Sequence, residues 1–286
     1  SEMFPQNSAR VERQKKAPLR VIMGNPPYSI GQKSANDNAA NQKYEKLDER
    51  IAKTYAEHSS AGLSKSLYDA YVKAFRWSTD RLDPKNGGVI AFVSNGAWLD
   101  GNSTDGFRKA IEKEFSSIWV FNLRGNQRTS GELSRKEGGK IFGSGSRTPI
   151  SITLLVKNPN AINKQVTIHY YDIGDYLSRE EKLAIASKFK TVANAEMKWK
   201  TLKPNEHGDW ISQRNNVFGT FIQLGDKKGD EKKQSFFLPY YGRGVASSAD
   251  AWVYNFSIKS LSDNILKTIQ HYNDDRLKVN LGIQKE

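Results

Sequence analysis

Four consecutive residues carry the clearest chemistry in the sequence: Asn25, Pro26, Pro27 and Tyr28, within the stretch VIMGNPPYSI. A residue that precedes a proline is pushed out of the helical region. Each proline fixes its own φ and offers a carbonyl but no N–H. The backbone is therefore stiff and presents acceptors without competing donors. The side chain of Asn25 adds another carbonyl. Two adjacent acceptors suit a planar –NH2 group, which has two hydrogens to donate, and Tyr28 supplies a flat face for the ring that bears it. The turn follows an apolar strand-like run, LRVIMG, and in α/β sheets ligands sit beyond the carboxyl ends of strands.

A second cluster is RGNQRTSGELSRKEGGKIFGSGSR, which sets Arg124, Arg128, Arg135, Lys136, Lys140 and Arg147 among glycines. Such a loop suits phosphate contacts, which are sequence-blind and salt-dependent; a solvated loop is the alternative. The formal charge of +13 and a pI of about 9.6 fit a polyanionic partner, most commonly nucleic acid, although a basic surface kept for solubility gives the same numbers. The chain has no cysteine, which excludes a disulfide framework and a thiolate zinc site. Its histidines, His58, His169, His207 and His271, are far apart, so no metal site is expected. No apolar run approaches the roughly 20 residues that cross a bilayer, and SEMFPQNSARVERQKK has no signal-peptide core. The expectation is a soluble, cytoplasmic protein.

The elements that would position these residues follow from periodicity. LRVIMG reads as a short buried strand, and residues 31 to 60 as a loop or mobile helical segment. LSKSLYDAYVKAFRWSTDRL places Leu67, Tyr71, Phe75 and Leu82 on one helical face, and Asp83-Pro84 with Gly87-Gly88 ends that helix. VIAFVSN has the continuous apolar pattern of a parallel strand. A helix over 103 to 115, capped by Ser103, aligns Phe107, Ala110, Ile111 and Phe115; SIWVFNL, PISITLLV and QVTIHYY are further strands. Ser178 and Glu181 form a capping box that opens REEKLAIASKF. The strand–helix alternation argues for an α/β sheet. Near residue 195 the texture changes, with shorter apolar runs and more aromatics, and helical period returns at Leu261, Ile265, Ile269 and Tyr272.

GNPPYS resembles motif IV of the amino-group DNA methyltransferases, which use S-adenosylmethionine to methylate N6 of adenine or N4 of cytosine. SLYDAYVKAF, GGVIAFVSNGAWLDG, GFRKAIEKEFSSIWVFNLRGN and KIFGSGSRTPISITLLVKN resemble, in order, the following elements of that family. YYDIGDYLSREEKL, NEHGDWISQR and GVASSADAWVYNFS closely resemble the methyltransferase and target-recognition region of Type ISP restriction–modification enzymes. The resemblance implies an α/β fold: the C-terminal half of a Rossmann-like class I methyltransferase sheet over residues 1–194, followed over 195–286 by the start of an α+β target-recognition region.

What the resemblance implies for function is an N6-adenine methyltransferase in which Asn25 and the Pro26 carbonyl accept from the amine of a flipped adenine, within the Asn25–Pro26–Pro27–Tyr28 turn, and Tyr28 stacks on the ring. Gly24 and Asn25 would approach S-adenosylmethionine. Phe142 matches a position that contacts the flipped base from another side, or else is a hairpin core residue. Implied partners are double-stranded DNA and the nuclease and helicase-like domains of the same parent chain, in a prokaryotic cytoplasm. The sequence departs from the family in one respect: the Gly-rich cofactor loop lies well before motif IV there, whereas 24 residues precede Asn25 here. The chain therefore reads as a fragment lacking that loop. Two alternatives stay open: a methyltransferase for an RNA or protein-amide amine, and a DNA-binding fragment without activity.

Overall fold

The computed structural model describes residues 5–27, 44–61, 65–143, 147–162, 165–215, 217, 220–222, 224–225, 236 and 250–281. They fall into two compact units, Ser1–Arg214 and Asn215–Glu286.

The first unit is built on a six-stranded mixed sheet. Its strands are β1 (Val21–Gly24), β2 (Gly88–Asn95), β3 (Ser117–Arg124), β4 (Ile150–Lys157), β5 (Thr167–Asp172) and β6 (Lys200–Leu202). The spatial order is β1-β2-β4-β3-β5-β6. β1 runs parallel to β2 and β3 parallel to β5, while β4 is antiparallel to both of its neighbours, β2 and β3. β2 is thus parallel on one side only, a mixed setting that its continuous apolar run does not reveal.

One face of the sheet carries the main core. Ile90, Phe92, Ile118, Val120, Leu155 and Ile168 point into it from alternate strand positions, as the period of two requires. The helices α1 (Pro5–Lys16), α2 (Glu45–Ile51), α3 (Ala70–Arg81) and α4 (Asp105–Glu114) accompany these strands. Leu67, Tyr71, Phe75 and Leu82 are all buried, and so are Phe107, Ala110, Ile111 and Phe115. The single helix expected over the first four is divided, however: Leu67 belongs to a 3₁₀ turn (Lys65–Tyr68), Asp69 takes an extended backbone before α3, and Leu82 lies just past the helix end. Phe75, Phe92, Trp98 and Phe107 meet edge to face, with Phe75 and Phe92 ring centres 4.9 Å apart. Such pairs add a fraction of a kcal/mol or more beyond their burial, about 0.5–1.5 each.

The other face carries a smaller core, in which Phe121, Leu123 and Ile150 meet Ile141, Phe189 and Met197. Phe189 ends α6 (Arg179–Phe189), whose capping box forms as predicted: the Ser178 hydroxyl accepts from the Glu181 N–H, and the Glu181 carboxylate accepts from the Ser178 N–H. The Ser103 cap does not form. The Ser66 hydroxyl donates to that of Ser103 at 2.6 Å, and α4 begins two residues later at the buried Asp105. Ser59, Ser60 and the Gly106 N–H donate to the Asp105 carboxylate and, against burial, hold its pKa below the ordinary value.

Three expectations are revised. β1 is an edge strand rather than a buried one: Val21 is 65% and Met23 77% exposed, because β2 is its one partner among the described residues. Residues 45 to 56 form a packed helical segment that buries Ile51 and Tyr55, rather than a loose one; residues 31 to 43 lie outside the described set. The compact unit also runs past the change of texture near residue 195. β6 pairs with β5, and Trp210 enters the main core while its indole N–H donates to Glu112 at 2.6 Å; burial pushes that carboxyl's pKa up.

In the second unit, α7 (Asp250–Val253) precedes α8 (Ile258–Asn280), the helix that the period of Leu261, Ile265, Ile269 and Tyr272 predicts. The Ser257 hydroxyl caps it by accepting from the Ser260 N–H. No described residue of α8 is buried. No helix among the described residues is long and apolar enough to cross a membrane.

Candidate functional site

β1, β2, β3 and β5 all run in one direction, so their carboxyl ends lie along a single edge of the sheet with the amino end of β4. The described residues that the sequence marks for chemistry in the first unit emerge there. Asn25, Pro26 and Pro27 follow β1; the Gly-rich basic loop follows β3 and returns into β4. Between β1 and β3 lie three strand spacings, about 14 Å at ~4.8 Å each.

Asn25 and Pro27 are exposed and Pro26 is half-buried. Tyr28 lies outside the described residues. Gly24 is exposed, and an added Cβ would meet only the Phe92 ring at an ordinary 3.8 Å. The fold itself does not demand glycine at this point; its bare backbone leaves room for close approach by a ligand.

The next position along the edge is the turn after β2. The Asn95 side-chain oxygen accepts from the Ala97 N–H at 2.9 Å and folds the chain into a 3₁₀ turn, Gly96–Leu99. The Gly96 N–H donates to Pro149 O at 2.8 Å, which closes the gap to β4. The buried Arg108 of α4 braces this segment from beneath. Its guanidinium donates to Trp98 O (2.6 Å), Gly101 O (2.9 Å) and Thr104 Oγ1 (3.1 Å), and its Nε to Gly208 O (2.7 Å). Asp209 beside it accepts two bonds at 2.7 Å from Arg214, which holds its carboxyl far below the usual range.

The basic loop is a built structure. It contains a short helix that its composition does not announce, α5 (Gly131–Glu137). Arg124, at φ 56°, donates to Asp172 at 2.7 Å and pairs with Asp175. The Gly125 N–H donates to Glu137 O, the Asn126 N–H to the Glu137 carboxylate, the Gly139 N–H to Leu177 O and the Tyr176 N–H to Lys136 O. Arg179 Nε donates to Ile141 O at 2.8 Å. The fully buried Lys182 donates to Glu137 O at 2.7 Å and Gly139 O at 2.8 Å, and burial lowers its pKa to about 8. The turn after β5 and the start of α6 thus hold the loop along its underside.

The cations assigned to the loop divide. Arg124 is engaged inside the fold. Arg128, Arg135, Lys136 and Arg147 are exposed, and Lys140 is half-buried. Arg135 pairs loosely with Glu132 at 3.7 Å, and Arg147 donates to Gln127 O at 2.8 Å. Phe142 is half-buried and packs against the smaller core. Sequence reasoning missed Arg108, Arg179 and Lys182, since a cation on a helix reads as surface until its carbonyl partners are placed. Among the described residues no cluster of His, Asp and Glu could hold a metal ion.

The fold has close counterparts. A nuclease-deletion mutant of the Type ISP restriction–modification enzyme LlaGI, in complex with a DNA substrate mimic, matches 97% of this chain at 44% identity with a TM-score of 0.77. The ATP-dependent Type ISP restriction–modification enzyme LlaBIII bound to DNA matches 95% at 39% identity and 0.82. This chain is similar to one segment of the Type ISP restriction–modification enzymes. The resemblance read from GNPPYS and the segments downstream therefore holds over nearly the whole Type ISP-like chain. The DrdV–DNA complex matches 94% of it at 32% identity and 0.76. The chain spans 21%, 18% and 26% of these three proteins. No protein-family model matches the chain, and no curated protein does.

Proposed function

We propose that this chain is the methyltransferase and target-recognition segment of a larger restriction–modification enzyme, and that its parent methylates N6 of adenine in duplex DNA. The observation that carries the reading is the shared edge: the amine-accepting turn after β1 and the basic loop after β3 emerge on the same side of the sheet. The similarity to Type ISP enzymes captured with DNA supports it. So does the exposure of Val21 and Met23 on β1, whose one strand partner among the described residues is β2. Nuclease and helicase-like domains would belong to those other parts.

In this reading the target adenine leaves the stack, at a cost of a few kcal/mol. Asn25 and the Pro26 carbonyl accept from its amine and turn the nitrogen lone pair away from the ring. Tyr28 stacks on the base, with Pro27 fixing the turn between them. Gly24 and Asn25 would hold S-adenosylmethionine, which would supply the methyl group: the S–CH3 bond would break as the N–CH3 bond forms, S-adenosylhomocysteine would leave, and the surplus amine proton would pass to solvent. No side chain of this segment is asked to act as a nucleophile, so positioning carries most of the catalysis. Arg128, Arg135, Lys136, Lys140 and Arg147 contact phosphates, and the second unit begins the region that reads sequence.

The test is methyl transfer to cognate DNA by the full-length parent with Asn25→Ala. Activity should fall by orders of magnitude with duplex affinity retained. Undiminished transfer would refute the assignment, and retained DNA binding by a parent that never methylates would favour the DNA-binding alternative.

A further inference from the structure

Lys182 is placed where a lysine is hard to explain by stability alone. Its side chain is fully buried, and an ammonium removed from water costs several kcal/mol unless its protons are satisfied. The partners are main-chain carbonyls of Glu137 and Gly139, at the carboxyl end of α5 and just beyond it. The helix end favours a cation, yet an apolar residue would fill an ordinary core position without this cost. What the ammonium adds is a directional tie between α6 and the loop.

The surrounding geometry closes the same joint. Gly138 lies at φ 66°, and a Cβ on it would sit 2.2 Å from Leu177 O. A Cβ on Gly139 would sit 2.4 Å from the Arg179 nitrogen. Arg179 Nε reaches across to Ile141 O. The loop thus packs on the backbone of residues 177 to 179, and within it Arg128 and Lys136 are exposed and make no ion pair among the described residues.

We propose that Lys182 and Arg179 are positioning residues that hold the 125–143 loop as a preformed cationic platform for the phosphate backbone of duplex DNA. A loop fixed before contact loses less conformational freedom on binding. Neither residue touches the duplex; each acts through the backbone it grips. This rests on the DNA-binding reading above.

The experiment titrates the 286-residue chain with a duplex at several salt concentrations and reads the log–log slope of affinity, alongside circular dichroism and thermal unfolding. Four proteins are compared: wild type, Arg128→Ala/Lys136→Ala, Lys182→Met and Arg179→Ala. Removing the two cations should lower the slope by close to two, at ~0.9 per phosphate contact. Lys182→Met should lower it similarly and Arg179→Ala by less, with native circular dichroism in both. If the double variant keeps the wild-type slope, the phosphate reading fails and the positioning role with it. If the double variant lowers the slope but Lys182→Met and Arg179→Ala do not, the positioning role alone is overturned. Should Lys182→Met fail to fold, Arg179→Ala, which loses the part-buried bond to Ile141 O and a loose surface pair with Glu180 at 3.8 Å, decides the matter.

Discussion

The Arg124 guanidinium grips the Asp172 carboxylate, Nε to Oδ1 at 2.7 Å, across the ends of two neighbouring strands, β3 and β5. Asp172 is also the acceptor for the Tyr170 hydroxyl and the Gly174 N–H. The first cation of the basic loop is therefore a fastening of the fold.

Arg124→Gln should cost about 1.5–3 kcal/mol, the range for hydrogen bonds to charged groups, and towards its lower end because the pair is partly exposed. Chemical denaturation measures it. The salt dependence of duplex binding should not change. A near-neutral stability with a flattened salt slope would mean that Arg124 faces DNA after all.

Gly138 and Gly131 both adopt left-handed backbone, at φ 66° and 61°, yet a Cβ at Gly131 meets nothing within 4 Å while one at Gly138 strikes Leu177 O. Gly131→Ala should destabilise by about 1 kcal/mol from backbone strain alone. Gly138→Ala should cost at least twice that and loosen the loop. Equal denaturation midpoints for the two variants would contradict the close packing of loop on turn.

Stability should rise with pH between about 8 and 10.5. The folded chain releases the Lys182 proton near the lower value, because burial disfavours the charged form, whereas the unfolded chain keeps it to the ordinary 10.5. In that window the unfolded state binds more protons, so raising the pH favours the fold. The comparison is with Lys182→Met, by urea denaturation at pH 7, 8, 9 and 10. Wild type should gain on the variant above pH 8, and a constant difference would rule the shift out.

How far the sequence could be read follows from how local each feature is. The pair Tyr71 and Phe75 was legible because one helical face suffices to specify it, whereas Leu67, read onto the same helix, is set apart in a 3₁₀ turn by the break at Asp69. Asn25 to Tyr28 stood out because the chemistry of a turn depends on adjacent residues; the structure places Asn25, Pro26 and Pro27 just after β1, and Tyr28 lies outside the described residues. β1 was misread, since an apolar strand looks the same whether or not a neighbour covers it, and its exposure depends on what else shares the chain. The loop after β3 looked loose because its glycines read as freedom. Two of them instead permit contact with the 177–179 backbone, and that contact depends on residues forty positions away. Lys182 was invisible for the same reason: only the tertiary position of Glu137 O turns a helix lysine inward.

The most direct test of the central claim is the identity of the methylated nucleoside. The full-length parent enzyme would be incubated with cognate duplex and isotopically labelled S-adenosylmethionine, and the digested DNA analysed by mass spectrometry. The account predicts label in N6-methyldeoxyadenosine alone, and its loss with Asn25→Ala. Label in another base, or N6-methyldeoxyadenosine formed at the wild-type rate by the Asn25→Ala enzyme, would contradict it.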